Sequence, residues 1–135
     1  MSEQNIVQSD IAELMKASSK ELAQPGQVLV QTETGLKPSS KRADPTVVGV
    51  YTDSFKYVLG DDKIDNQYPV GIAGRVRVLV KEKLEIGDLL VSDIGAFATK
   101  ATEEEKKNKG VIIGKVLQNK EDNSIERINI LILNS

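Results

Sequence analysis

The stretch YPVGIAGRVRVLVKEKLEIGDLLVSDIGAFATKA, Tyr68 to Ala101, decides the fold class. Val76, Val78 and Val80 alternate with Arg75, Arg77 and Leu79. That period of two predicts a β-strand with its valines inward and its arginines in solvent. Lys81, Glu82 and Lys83 form a polar connection, and Glu85-Ile86-Gly87-Asp88 turns the chain into a second β-rich run, Leu89-Leu90-Val91. Gly87 can adopt the backbone such a corner needs, and Asp88 can bond back to nearby amides. The expectation is a central strand–turn–strand hairpin.

The same vocabulary extends on both sides. Gln24-Pro25-Gly26 is a turn signal before the strand Val28-Leu29-Val30, and a turn at Glu33-Thr34-Gly35 leads into Leu36-Lys37-Pro38. Thr46 to Tyr51, Phe55 to Val58, Val111 to Leu117 and Arg127 to Leu133 read as further strands. Upstream, Ile11, Leu14, Met15, Ser18 and Leu22 fall on one helical stripe, with Ser9 as N-cap, so a short helix is expected over residues 9–23. A short edge strand over Ile11–Met15 is the competing reading. The halves also look like copies. PGQVLVQTETGLKPS (25–39) sets against IGDLLVSDIGAFATK (86–100), VVGVY (47–51) against IIGKV (112–116), and RVRVLV against RINILIL. The expected organisation is a flexible N-terminus over 1–8 and a single β-rich domain over 9–135, duplicated over about 25–80 and 86–133. Its fold class is mostly β: an antiparallel barrel or sandwich of two similar halves with a short N-terminal helix.

Composition removes several functions. A net charge of −2 and a pI near 5.3 argue against a nucleic-acid binder, which would carry a basic stripe. With no cysteine and no histidine, disulfides, thiolate or imidazole metal sites and Ser-His or Cys-His nucleophiles are excluded. Asp61, Asp62 and Asp65 lack the spacing and terminal Glu of a calcium loop, so no metal and no cofactor is expected. The longest apolar run uninterrupted by glycine, Ile130 to Leu133, is far short of the ~20 residues of a membrane-spanning helix. MSEQNIVQSD lacks the basic and apolar parts of a signal peptide, which predicts synthesis in the bacterial cytoplasm without export by that route.

Two resemblances follow from these motifs. Gly87-Asp88 before a strand resembles the "GD box" of cradle-loop barrels, with Gln27 in place of the Asp in the first copy. The ordered series SDIAE, PGQVLV, VVGVYTDSFKYVLG, YPVGIAGRVRVLV, IGDLLVS, GAFATKA and VIIGKVL resembles the autoproteolytic chaperone domain at the C-terminus of bacteriophage neck-appendage and tail-spike proteins. That resemblance implies a domain that assists trimeric folding of an upstream fibre and then cuts itself off beside a Ser-Asp pair. Carried over by position, the scissile bond is Ser9–Asp10, and Asp10 and Glu13 are the catalytic acid pair.

Two adjacent carboxyl groups push their pKa values apart, so one can donate a proton while the other activates a nucleophile. In the expected helix, Asp10 and Glu13 share a face. Capping and helix-dipole chemistry accounts for the same residues without catalysis, and with Met1 eight residues before Ser9 no upstream fibre is expected. Arg75 and Arg77 are candidates for a subunit interface, against a plain solvated sheet face. Tyr51, Phe55, Tyr57 and Tyr68 are candidates for a binding or interface patch, against a plain core edge.

The expected function is a non-catalytic, virion-associated structural module of a bacteriophage, in capsid, neck or tail. It is a homotrimer whose partners are itself and another virion protein, with no nucleic acid and no membrane. The alternatives are a self-cleaving chaperone domain and a cradle-loop small-molecule or glycan module.

Overall fold

The computed structural model describes residues 10–18 and 23–133. The flexible N-terminus expected over 1–8 and the Ser9 side of the expected scissile bond lie outside the described residues.

Eleven strands form among the described residues, some alternating in burial as Arg75–Val80 does and others short apolar runs such as Leu89–Ser92. They are β1 (Ile11–Lys16), β2 (Val28–Thr32), β3 (Gly35–Pro38), β4 (Val47–Tyr51), β5 (Tyr57–Leu59), β6 (Gln67–Ala73), β7 (Arg75–Val80), β8 (Leu89–Ser92), β9 (Ala98–Lys100), β10 (Ile112–Val116) and β11 (Glu126–Ile132). The first sheet runs β3-β2-β4-β6-β1-β5 and the second β7-β11-β10-β8-β9. Every pairing is antiparallel except β1 with β5.

Three expectations are corrected. Ile11–Lys16 is a strand, not a helix: its two edges bond to β6 and β5, and that tertiary pairing overrides a weak helical stripe. It is therefore not an edge strand either. The central hairpin is absent, because β11 and β10 lie between β7 and β8. The run Tyr68 to Val80 is two strands, broken at Gly74, whose φ of 87° few other residues tolerate. Arg75–Val80, expected to close the first half, thus belongs to the second sheet.

The two strand orders coincide when β1, β2, β3, β4 and β6 are set against β7, β8, β9, β10 and β11; β5 is the first sheet's addition. Registers coincide too. Val28, Leu29 and Val30 face Val50, Gly49 and Val47, while Leu89, Leu90 and Val91 face Lys115, Gly114 and Ile112, with a bulge at the same place. Even the flanking bonds match: Gly26 N–H to Tyr51 O (2.8 Å) and Gly87 N–H to Val116 O (2.9 Å).

Equivalent positions nevertheless face different cores. Val28 and Val50 of the first sheet pack with Leu90, Ile113, Val116, Ile128 and Ile130 of the second, forming the core between the sheets. Leu29, Leu36, Tyr68 and Val70 point the other way and fill the inside of the first sheet. That sheet curls into a half-barrel until the end of β1 meets β3 at a parallel Ala17–Leu36 bridge. The sheets are therefore stacked back to front, not face to face. A third small cluster, Val91, Ala101 and Val111, lies on the far side of the second sheet.

Candidate functional site

Asp10 sits where β1 begins, and it is 1% exposed although its side chain is charged at neutral pH in water. The 52–56 loop after β4 folds over it. Thr52 Oγ1 is 2.9 Å from Asp10 Oδ2, and the Lys56 N–H donates to the Asp10 carbonyl at 3.0 Å. Thr52 is itself buried, and its hydroxyl also lies 3.2 Å from the Ser54 carbonyl. Burial pushes the Asp10 carboxyl above its ordinary range; the Thr52 hydrogen bond works against that, and the nearby Asp53 charge adds to it. A protonated Asp10 can donate to Thr52 Oγ1 while the hydroxyl donates to Ser54 O, so the neutral acid completes the chain of bonds.

Asp53 is shifted the other way. Arg127 on β11 bonds it through Nη2 to Oδ1 at 2.9 Å and Nη1 to Oδ2 at 3.4 Å, which lowers its pKa, with Arg77 adding a weaker pull. A carboxyl whose pKa is raised by burial thus lies near one whose pKa is lowered by an arginine. The pairing is not the expected one. Glu13 is exposed, and three residues along a strand place it on the opposite face from Asp10. Asp10 is brought together with Thr52, Asp53 and Ser54, distant in sequence and marked by no spacing.

The other candidates disperse. Arg75 and Arg77 are exposed on β7, as the alternation predicts, at one end of the second sheet's strand order. Tyr68 is buried inside the curled sheet, its hydroxyl accepting the Ala23 N–H at 3.2 Å, and its ring lies 5.3 Å from that of Tyr51. Phe55 is half-buried in the 52–56 loop, whereas Tyr57 is 60% exposed on β5. The four aromatics form no single patch. None of them lines either of two concavities, one of about 160 Å³ between β4 and β10, the other of about 290 Å³ around Lys83, Asp88 and Lys120. Among the described residues no group of three or more acidic side chains could hold a metal, and no helix is long and apolar enough to cross a membrane.

A polar clasp joins the halves. Ser39 Oγ donates to Asp93 O at 2.8 Å, and Ser92 Oγ accepts the Asp44 N–H at 2.8 Å and donates to Lys41 O at 3.0 Å. Arg42 reaches Glu105 and the Lys100 carbonyl. Burial raises the cost of charge on Asp44, but two hydrogen bonds from Thr46 outweigh it and the net shift is downward.

No family model and no curated protein sequence matches the chain. Solved structures do. The C-terminal fragment of gene product 12 of bacteriophage phi29 superposes with a TM-score of 0.67 at 12% identity, over 92% of this chain and 100% of that one. The chain has that fragment's fold. The pre-mature gene product 12 of the same phage gives 0.70 at 12% identity over 94% of this chain, which spans only 22% of that longer protein. The N base of the phi29 head fibre gp8.5 gives 0.48 at 13% identity, over 93% of this chain and 90% of that one.

Proposed function

We propose that this chain is a structural module of a bacteriophage virion, in capsid, neck or tail, that associates with itself as a homotrimer and attaches to another virion protein. Its work is mechanical, made of sheet and clasp, with no cofactor. The observation that carries this reading is the fold shared with the whole C-terminal fragment of phi29 gene product 12. In the same reading the fold is a duplicated five-strand unit, its copies running over residues 10–73 and 75–133. Peptides of this chain among the proteins of purified phage particles test the virion assignment. Their recovery is expected, and a chain found in the infected-cell lysate but absent from particles overturns it.

Self-cleavage at Ser9–Asp10 is the second reading, and one observation favours it: a buried Asp10 with a raised pKa near an ionised Asp53. It reassigns the partner carboxylate from Glu13 to Asp53. Mass spectrometry after long incubation, on the chain joined to an upstream fibre segment, tests it. Loss of everything before Asp10, abolished by Asp10→Asn and by Asp53→Asn but not by Glu13→Gln, supports self-cleavage. An intact chain removes it.

A further inference from the structure

The first sheet has one element beyond the repeated unit: β5 and the loop that follows it. Tyr57, Val58 and Leu59 are 60, 41 and 52% exposed, so this apolar strand is bare on both faces, and Ile64 in the loop is 58% exposed. One edge of β5 bonds to β1; among the described residues no strand pairs with the other. The loop holds its own shape. Lys63 N–H bonds Asp61 Oδ1, and Gln67 Nε2 bonds the Asp61 and Ile64 carbonyls, each at 2.9 Å. Exposed apolar groups on an ordered edge strand mark a surface built to associate. Asp61, Asp62 and Asp65 make that tongue acidic at its tip.

Between β4 and β10 runs a groove of about 160 Å³, walled by Val48, Ile112, Ile113, Ile132 and Leu133 and flanked by Lys109. At about 160 Å³ this groove has room for a single large side chain. The tongue brings apolar side chains and an acidic tip, and the groove offers aliphatic side chains among polar backbone with a lysine beside them, so the two are complementary in charge.

We propose that the tongue over residues 57–65 of one copy seats in the β4–β10 groove of a second copy, Leu59 filling the groove and Asp62 facing Lys109. Tongue and groove are different surfaces, so the contact is head to tail, and such contacts form a ring when the rotation between copies closes and a filament when it does not. Three copies make the ring that the trimer requires. The inference rests on the self-association reading above and names the surfaces it uses.

Sedimentation of the wild type, Leu59→Asp, Asp62→Lys, and the double charge swap Asp62→Lys with Lys109→Asp tests it. Leu59→Asp is expected to weaken association by about tenfold or more, the change that burial of one leucine side chain corresponds to. Asp62→Lys weakens it and the double swap restores it. Because the chain has no cysteine, a short bis-maleimide gives a second readout. Asp62→Cys mixed with Lys109→Cys is expected to cross-link, and neither alone. A monomeric wild type overturns the self-association reading and this inference with it. An oligomeric wild type whose Leu59→Asp and Asp62→Lys variants associate unchanged overturns the tongue-and-groove contact alone. So does cross-linking of Asp62→Cys to itself, which places tongue against tongue.

Discussion

Gln27 and Asp88 close equivalent corners of the two sheets with the same hydrogen bond. Gln27 Oε1 accepts the Gln24 N–H at 2.8 Å, and Asp88 Oδ2 accepts the Glu85 N–H at 2.9 Å, each three residues upstream. The backbone repeats as well: Tyr51 N–H to Gln27 O at 2.9 Å, Val116 N–H to Asp88 O at 2.8 Å. A longer amide and a shorter carboxylate thus do one job. Asp88→Ala is expected to cost about 1 kcal/mol in urea unfolding, and Asp88→Gln to keep more than half of that, because Gln27 already spans such a corner. The loss of the Asp88–Lys100 ion pair, at 3.6 Å and half exposed on the lysine side, adds little.

Gly49 and Gly114 occupy matching bulges where strands approach too closely for a side chain. A Cβ at Gly49 would stand 2.7 Å from Gly71 O, and one at Gly114 would press on Leu131 O. Backbone atoms cannot swing aside. Gly49→Ala and Gly114→Ala are each expected to destabilise by ~1–3 kcal/mol, measured by chemical denaturation. Gly110→Ala, whose nearest neighbour is the Asn108 side chain, is the mild control.

The clasp rests on Ser92, which is fully buried. Ser92→Ala leaves the Asp44 N–H and Lys41 carbonyl without that partner, and is expected to cost ~1–3 kcal/mol. Arg42→Ala, removing a part-exposed pair with Glu105, is expected to cost less than about 1 kcal/mol. Urea midpoints rank the two.

Asp10 and Asp53 predict opposite pH effects. The folded pKa of Asp10 is raised above 3.8, so what it contributes is fully present below that value and lost as pH rises through the folded pKa. Asp53 is lowered, so its contribution is present above 3.8 and lost as pH falls. Asp10→Asn is expected to raise the melting temperature at pH 7 and to lose that advantage near pH 3. Asp53→Asn lowers it at pH 7 and converges with the wild type in acid. Melting curves from pH 3 to 8 check both signs.

Local sequence carried the strands and not their partners. Val76, Val78 and Val80 announced β7 because alternation is a local property. That β7 bonds to β11 and not to β8 is set by non-local pairing, which leaves no mark in neighbouring residues. Ile11, Leu14 and Met15 fitted a helical stripe as well as a strand, and only β5 and β6 on either side decide it. The same limit hid the Asp10 site. In the fold Asp10 bonds Thr52 and lies near the Asp53 charge, both far away in the chain, whereas the family resemblance had paired it with Glu13. The Gly-Asp corner was legible and its glutamine equivalent was visible by alignment of the halves, since both rest on short-range bonds.

The mass of the purified chain by sedimentation equilibrium at micromolar concentration is the most direct measurement. A species of three copies that persists on dilution into the low micromolar range is expected. A single chain of 14.7 kDa at every concentration would contradict that expectation.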